Sequence, residues 1–98
     1  MEDIEQAKIF ASLGEDKYLK QEYSEAILAF ERSLEFSENS STYFNLGWAL
    51  FKIGEFLKAV KAFKKSIGFE KTWNAYYGLG SAFYNLNYLD ETIESLEE

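Results

Sequence analysis

Between residues 43 and 67 the apolar positions fall into two stripes separated by a break. Tyr43, Leu46, Gly47 and Leu50 recur at i, i+3, i+4 and i+7, the spacing of one helix face rather than the alternation of a strand. Gly54 interrupts the pattern, and Phe56, Ala59, Val60, Phe63 and Ile67 form a second stripe. Two stripes around a break predict a helical hairpin. The same hairpin recurs at a fixed distance, because Gly14, Gly47 and Gly80 are spaced by 33 residues. Leu13, Leu46 and Leu79 precede these glycines, and Phe10, Tyr43 and Tyr76 lie four residues before them. Beyond the glycines come the columns Ala26, Ala59 and Thr92, then Phe30, Phe63 and Leu96.

Candidate N-caps mark the helix starts: Ser24 and Asp90 for second helices, and Ser40 or Ser41 and Thr72 for first helices. The pattern predicts helices at about 3–19, 24–36, 41–53, 57–68, 73–86 and 90–98. Residues 1–98 therefore form one all-α domain of repeats at approximately 7–39, 40–72 and 73–98. A glycine inside a helix costs about 1 kcal/mol relative to alanine. Its recurrence predicts a compensating close approach, with the first-helix glycine facing the second-helix alanine and Phe63 and its equivalents filling the space around them.

Tyr43-x-x-Leu46-Gly47-x-x-Leu50 followed by Ala59-x-x-x-Phe63 resembles the tetratricopeptide repeat, and the resemblance covers nearly the whole chain. It implies a right-handed solenoid of antiparallel helical hairpins, an alpha-alpha superhelix. The chain departs from the family pattern in four places. The period is 33, the closing proline is missing, Lys17 stands where a large apolar residue is expected, and Thr92 replaces alanine in a third unit that stops at Glu98. The missing proline implies tighter linkers after Phe36 and Phe69, and Lys17 is expected to weaken the outer side of its helix. Ankyrin repeats share the period, but their Thr-Pro-Leu-His signature is impossible in a chain with no proline or histidine.

The resemblance also implies which side chains line the concave side of the stack. The first unit offers Lys8, Ala11, Glu15, Tyr18 and Leu19; the second offers Ser41, Phe44, Trp48, Phe51 and Lys52; the third offers Asn74, Tyr77, Ser81, Tyr84 and Asn85. Phe44, Asn45, Trp48, Phe51, Tyr77, Ser81, Tyr84 and Asn85 are the candidate peptide-binding residues. Aromatic rings beside amides and a hydroxyl suit a peptide or protein segment bearing apolar anchors. The same rings could instead pack between adjacent first helices. Some family members clamp terminal carboxylates with lysines, an arginine and asparagines on these helices. Of those positions only Asn45 matches, whereas Ala11, Glu15, Asn74 and Gly78 occupy the others, so that specificity is excluded.

Composition narrows the remaining choices. The chain has no cysteine and no histidine, which removes disulfides, thiolate sites and the commonest general base and zinc ligand. No phosphate-cradling loop, nucleophile signature or metal spacing is present, so no catalytic residue, cofactor or metal is expected. The net charge of −7 opposes nucleic-acid binding. No apolar run approaches the roughly 18–20 residues that span a bilayer, and the start MEDIEQAKIF is unlike a signal peptide, so a cytoplasmic protein is expected. Residues 1–39 hold ten acids against four bases, 40–71 two against six, and 72–98 five against none. Lys58, Lys61 and Lys65 form a stripe that reads as a solvated convex face or as a patch for an acidic partner. Glu91, Glu94, Glu97 and Glu98 read as an exposed helix face. Beside the peptide-binding adaptor stand two further readings. One is a homo-oligomerisation element, using apolar edges around Tyr84, Tyr88 and Leu89. The other is a fragment of a longer repeat scaffold.

Overall fold

The computed structural model describes residues 2–97, and the side chains of residues 2–87. Five helices follow one another: α1 Glu2–Leu19, α2 Tyr23–Phe36, α3 Ser40–Lys52, α4 Phe56–Phe69 and α5 Trp73–Glu97. The chain is an all-helical repeat solenoid, elongated to 56 × 27 × 19 Å because each hairpin packs only on its neighbours. Four helices lie close to the expected spans. The fifth differs: no turn separates 73–86 from 90–98, and α5 is one helix of 25 residues. Asp90 therefore lies inside α5 and starts no helix. The predicted edge at Tyr88 and Leu89, the acidic face at Glu91, Glu94, Glu97 and Glu98, and the columns at Thr92 and Leu96 lie outside the described side chains.

The two complete hairpins, α1–α2 and α3–α4, are closed by the same devices one repeat apart. Phe30 and Phe63 are fully buried. A Cβ on Gly14 would lie 2.5 Å from the Phe30 ring, and one on Gly47 would lie 2.7 Å from Phe63. The glycines thus face the phenylalanine rings, as expected of the residue that fills this space, because only a residue without a side chain leaves room for a ring between two helices. Gly78 of α5 approaches the other side of Phe63, 2.5 Å from the ring for a built Cβ, so one ring joins two units.

At the hairpin ends Phe10 stacks on Phe36 at 5.9 Å between centroids, and Tyr43 stacks on Phe69 at 5.8 Å. The buried Ser33 hydroxyl donates to the Ala7 carbonyl at 2.6 Å, and that of Ser66 donates to the Ser40 carbonyl at 3.0 Å. These bonds satisfy polar atoms that would otherwise be stranded in the core.

The turns repeat as well. Glu22 N–H donates to Lys17 O and Gln21 N–H to Tyr18 O, just as Glu55 N–H donates to Leu50 O and Gly54 N–H to Phe51 O. This pair of bonds closes a helix when the residue after it takes a left-handed conformation, as Gln21 (φ 63) and Gly54 (φ 83) do. The turn delivers the chain directly into the next helix, so α2 and α4 start after Glu22 and Glu55 without a side-chain cap. Ser24 accordingly lies in the first turn of α2 and is not its cap. Asn39, rather than Ser40 or Ser41, caps α3, accepting from Thr42 N–H at 2.9 Å; Thr72 accepts from Ala75 N–H at 3.2 Å to start α5.

Lys17 does not leave a defect. Its ammonium reaches Glu22 at 3.0 Å and Glu25 at 2.9 Å, bridging α1 to the start of α2. The hydrogen bonds from Glu25 and then Glu22 raise the Lys17 pKa, and the Lys17 ammonium lowers that of Glu25.

Two predictions follow from this packing. Gly47→Ala should lower stability by about 1–3 kcal/mol through overpacking against Phe63. Gly68→Ala, where a Cβ meets nothing within 4 Å, should be neutral or stabilising by up to about 1 kcal/mol. Urea denaturation of both variants checks the contrast. The second concerns Tyr43, whose phenol is pushed up to about 12 by burial, by its 2.7 Å hydrogen bond to Glu38 and by that carboxylate's charge. Its pKa is raised on folding, so its stabilisation is complete below pH 10 and is lost as pH rises toward 12. Thermal melts from pH 9 to pH 12 should show this loss, and Tyr43→Phe should remove that part of it.

Candidate binding groove

The first helices of the units, α1, α3 and α5, supply the candidate groove residues. Phe44, Trp48 and Phe51 are half-buried and form an aromatic row along α3. Trp48 stands edge-on to Phe44, Phe51 and Phe63 at 6.4, 5.2 and 5.3 Å, and Phe51 meets Phe56 at 5.2 Å. Edge-to-face contacts at these distances fix ring orientation. One side of each ring belongs to the packing of the solenoid and the rest faces outward. Tyr77 lies 6.3 Å from Trp48 and carries the row onto α5. Tyr77 and Tyr84 remain 64% and 72% exposed.

Two concave patches result. The first, of about 380 Å³, is lined by Glu15, Tyr18 and Leu19 of α1 and Phe44, Asn45 and Trp48 of α3, with Phe30 of α2 behind them. Its cause is a single column of the repeat. Gly78 lets α5 close onto Phe63, whereas the corresponding residue one unit earlier is Asn45. A side chain there holds α3 away from Phe30 and leaves a gap with a largely apolar lining.

The polar atoms of this patch are few. Asn45 Nδ2 donates to Glu15 Oε1 at 3.4 Å. That carboxylate beside the amide opposes an acidic ligand and favours a donor or a cation. Burial, then the neighbouring Tyr23, raises the Tyr18 phenol, so it stays a neutral hydrogen-bonding group at physiological pH.

The second patch is lined by Phe51, Tyr77, Gly80, Ser81, Tyr84 and Asn85. Two of its polar groups are turned inward, because Ser81 Oγ donates to the Tyr77 carbonyl and Asn85 Nδ2 to the Ser81 carbonyl, each at 2.9 Å. Lys8, Ser41, Lys52 and Asn74 are exposed beside the groove. Lys58, Lys61 and Lys65 line a separate cleft that also holds Glu31 and Glu55.

Residues 20–98 match the family described as anaphase-promoting complex, cyclosome, subunit 3. The chain belongs to this family. It is a tetratricopeptide-type repeat family, generally a non-catalytic scaffold whose members bind protein partners. No curated protein matches the chain. Among the described residues no helix is long and apolar enough to cross a membrane.

The two indoles of this family member have opposite surroundings, which gives a direct check on the groove. Trp73→Phe leaves only half-buried Trp48, and its fluorescence should resist acrylamide. Trp48→Phe leaves Trp73, 77% exposed, which should be quenched readily. Equal quenching in the two variants would contradict the placement of Trp48.

Proposed function

We propose that this chain is a non-catalytic adaptor that holds a peptide or protein segment against its concave, aromatic-lined side. The apolar gap between α1 and α3, bounded by Tyr18, Phe44, Trp48 and Phe30, carries this reading. It would take one apolar anchor of the ligand, and the exposed ring faces of Tyr77 and Tyr84 would take others. Rigid aromatic side chains favour such contacts because they bury much area and lose little rotamer freedom. Glu15, with Asn45 beside it, would pair with a donor or cation next to the anchor. The family's own description names a subunit of a complex, which accords with a protein that works by holding others.

Groove-blocking variants test the reading. Glu15→Arg combined with Asn45→Arg should reduce capture of a partner by at least about tenfold, as removal of a central contact does. Trp48→Ala and Tyr77→Ala should act in the same direction with helical content retained in circular dichroism. Lys58→Ala and Lys61→Ala, in the separate cleft, should leave capture unchanged. Full capture by the groove variants would place the binding surface elsewhere.

A further inference from the structure

We propose that the cleft between α2 and α4 is a second docking surface, which takes an acidic peptide segment carrying an apolar anchor. It shares no lining residue with the aromatic groove, and its test does not depend on the groove reading.

The cleft, of about 370 Å³, has an apolar floor from α3 and unlike walls. Leu46 and Leu50 are the buried part of the floor. Tyr43 and Ile53 end the same row, and Ile53 is 44% exposed. Lys58, Lys61 and Lys65 of α4 form one wall, and all three are exposed. Helix geometry puts them in a stripe about 60° wide and about 10 Å long. Glu31 of α2 stands on the other wall, and Glu55 at the start of α4.

The repeat shows that these lysines are not held by the fold. One unit earlier the same columns are Glu25, Leu28 and Arg32. There both charges are neutralised within the first hairpin, because Glu25 pairs with Lys17 at 2.9 Å and Arg32 with Glu35 at 2.6 Å. Arg32 also lies over the Phe36 ring, 5.0 Å from its centroid. In the second hairpin the partner columns have changed as well. Leu50 stands in the place of Lys17, and Gly68 in the place of Glu35. Lys58 and Lys65 therefore keep the positions of Glu25 and Arg32 without their counter-charges. Lys61 adds a third cation where the first hairpin has the exposed Leu28. Among the described residues no ion pair involves any of the three.

Solubility does not account for this stripe. A net charge of −7 already makes copies of the chain repel one another, and three unpaired cations lower that charge. Beside an apolar floor they instead make a local field that attracts carboxylates. Glu31 and Glu55 repel carboxylates from the opposite side, so the charged edge of the ligand is directed to the α4 wall. A row about 10 Å long matches acidic residues on one face of a helical segment or at alternate positions of an extended one. An apolar side chain beside them would cover Ile53 and the floor. A phosphate backbone has no side chain to place there, which favours a peptide.

A random peptide library displayed on phage and selected on the full chain tests the proposal. Non-specific attraction to a chain of this charge would enrich basic peptides, so an acidic consensus reports the local stripe. The selected peptides should combine acidic residues with a large apolar one. In fluorescence anisotropy, Lys58→Glu combined with Lys65→Glu should weaken them at least about tenfold at low salt. Lys58→Arg with Lys65→Arg should retain binding, and circular dichroism should show equal helix in both. Ile53→Ala should weaken binding in the same direction. Trp48→Ala and Tyr77→Ala should leave it unchanged. A selection that yields only basic or neutral sequences overturns the proposal, as do acidic peptides indifferent to the lysine reversals. Peptides lost on Trp48→Ala but not on the reversals occupy the groove, and they overturn the second surface alone. A wild type that self-associates in sedimentation equilibrium, and that the reversals make monomeric, assigns the cleft to a second copy and overturns the peptide.

Discussion

The solenoid depends on a phenylalanine ring seated against glycine. Phe63 is fully buried between Gly47 of its own hairpin and Gly78 of the next, so one side chain sets both the spacing within a unit and the spacing between units. Burying such a ring stabilises the fold by about 1.5–3 kcal/mol, more than the roughly 1 kcal/mol that a helical glycine costs. The exchange is favourable only while the ring is present, and so the glycine and the phenylalanine recur together. The serine-to-carbonyl bonds and the stacked rings at the hairpin ends then hold the two helices in the register that this contact sets.

The candidate groove arises where that constraint is relaxed. At the junction of the second and third units a glycine lets the helices close onto the ring. At the junction of the first and second units Asn45 stands in the same column and keeps them apart. The gap is therefore a consequence of one side chain, and its chemistry is that of the exposed surroundings: Tyr18, Phe44 and Trp48 as walls, with Glu15 and Asn45 joined at the rim. A binding surface of this kind needs no separate element, since a solenoid offers one wherever its first helices are held apart.

The third unit shows what happens when the first-helix pattern is present without its second helix packed upon it. Gly80 repeats Gly47 in sequence and not in environment. Tyr77 and Tyr84, counterparts of Phe44 and Phe51, are more exposed for the same reason. In the second unit Phe63 and Phe56 of α4 cover one side of those rings, and α5 has no such helix among the described residues.

The sequence by itself determined the helical class, the repeat, the spans of the first four helices within a few residues, and the side chains shared by one face. These are consequences of local periodicity, which a hydrophobic stripe records directly. Three features were decided only by tertiary structure. That the rings of Phe30 and Phe63 lie directly on the glycines depends on ring placement between two helices, which spacing along one helix does not specify. That Glu22, Glu55 and Asn39 precede the helices in place of the expected serines follows from how the preceding chain delivers each start. The repeat at first suggested three hairpins, and the structure shows two hairpins and a long helix. The column of Gln21, Gly54 and Asn87 permits a turn, but α5 runs through Asn87 without one.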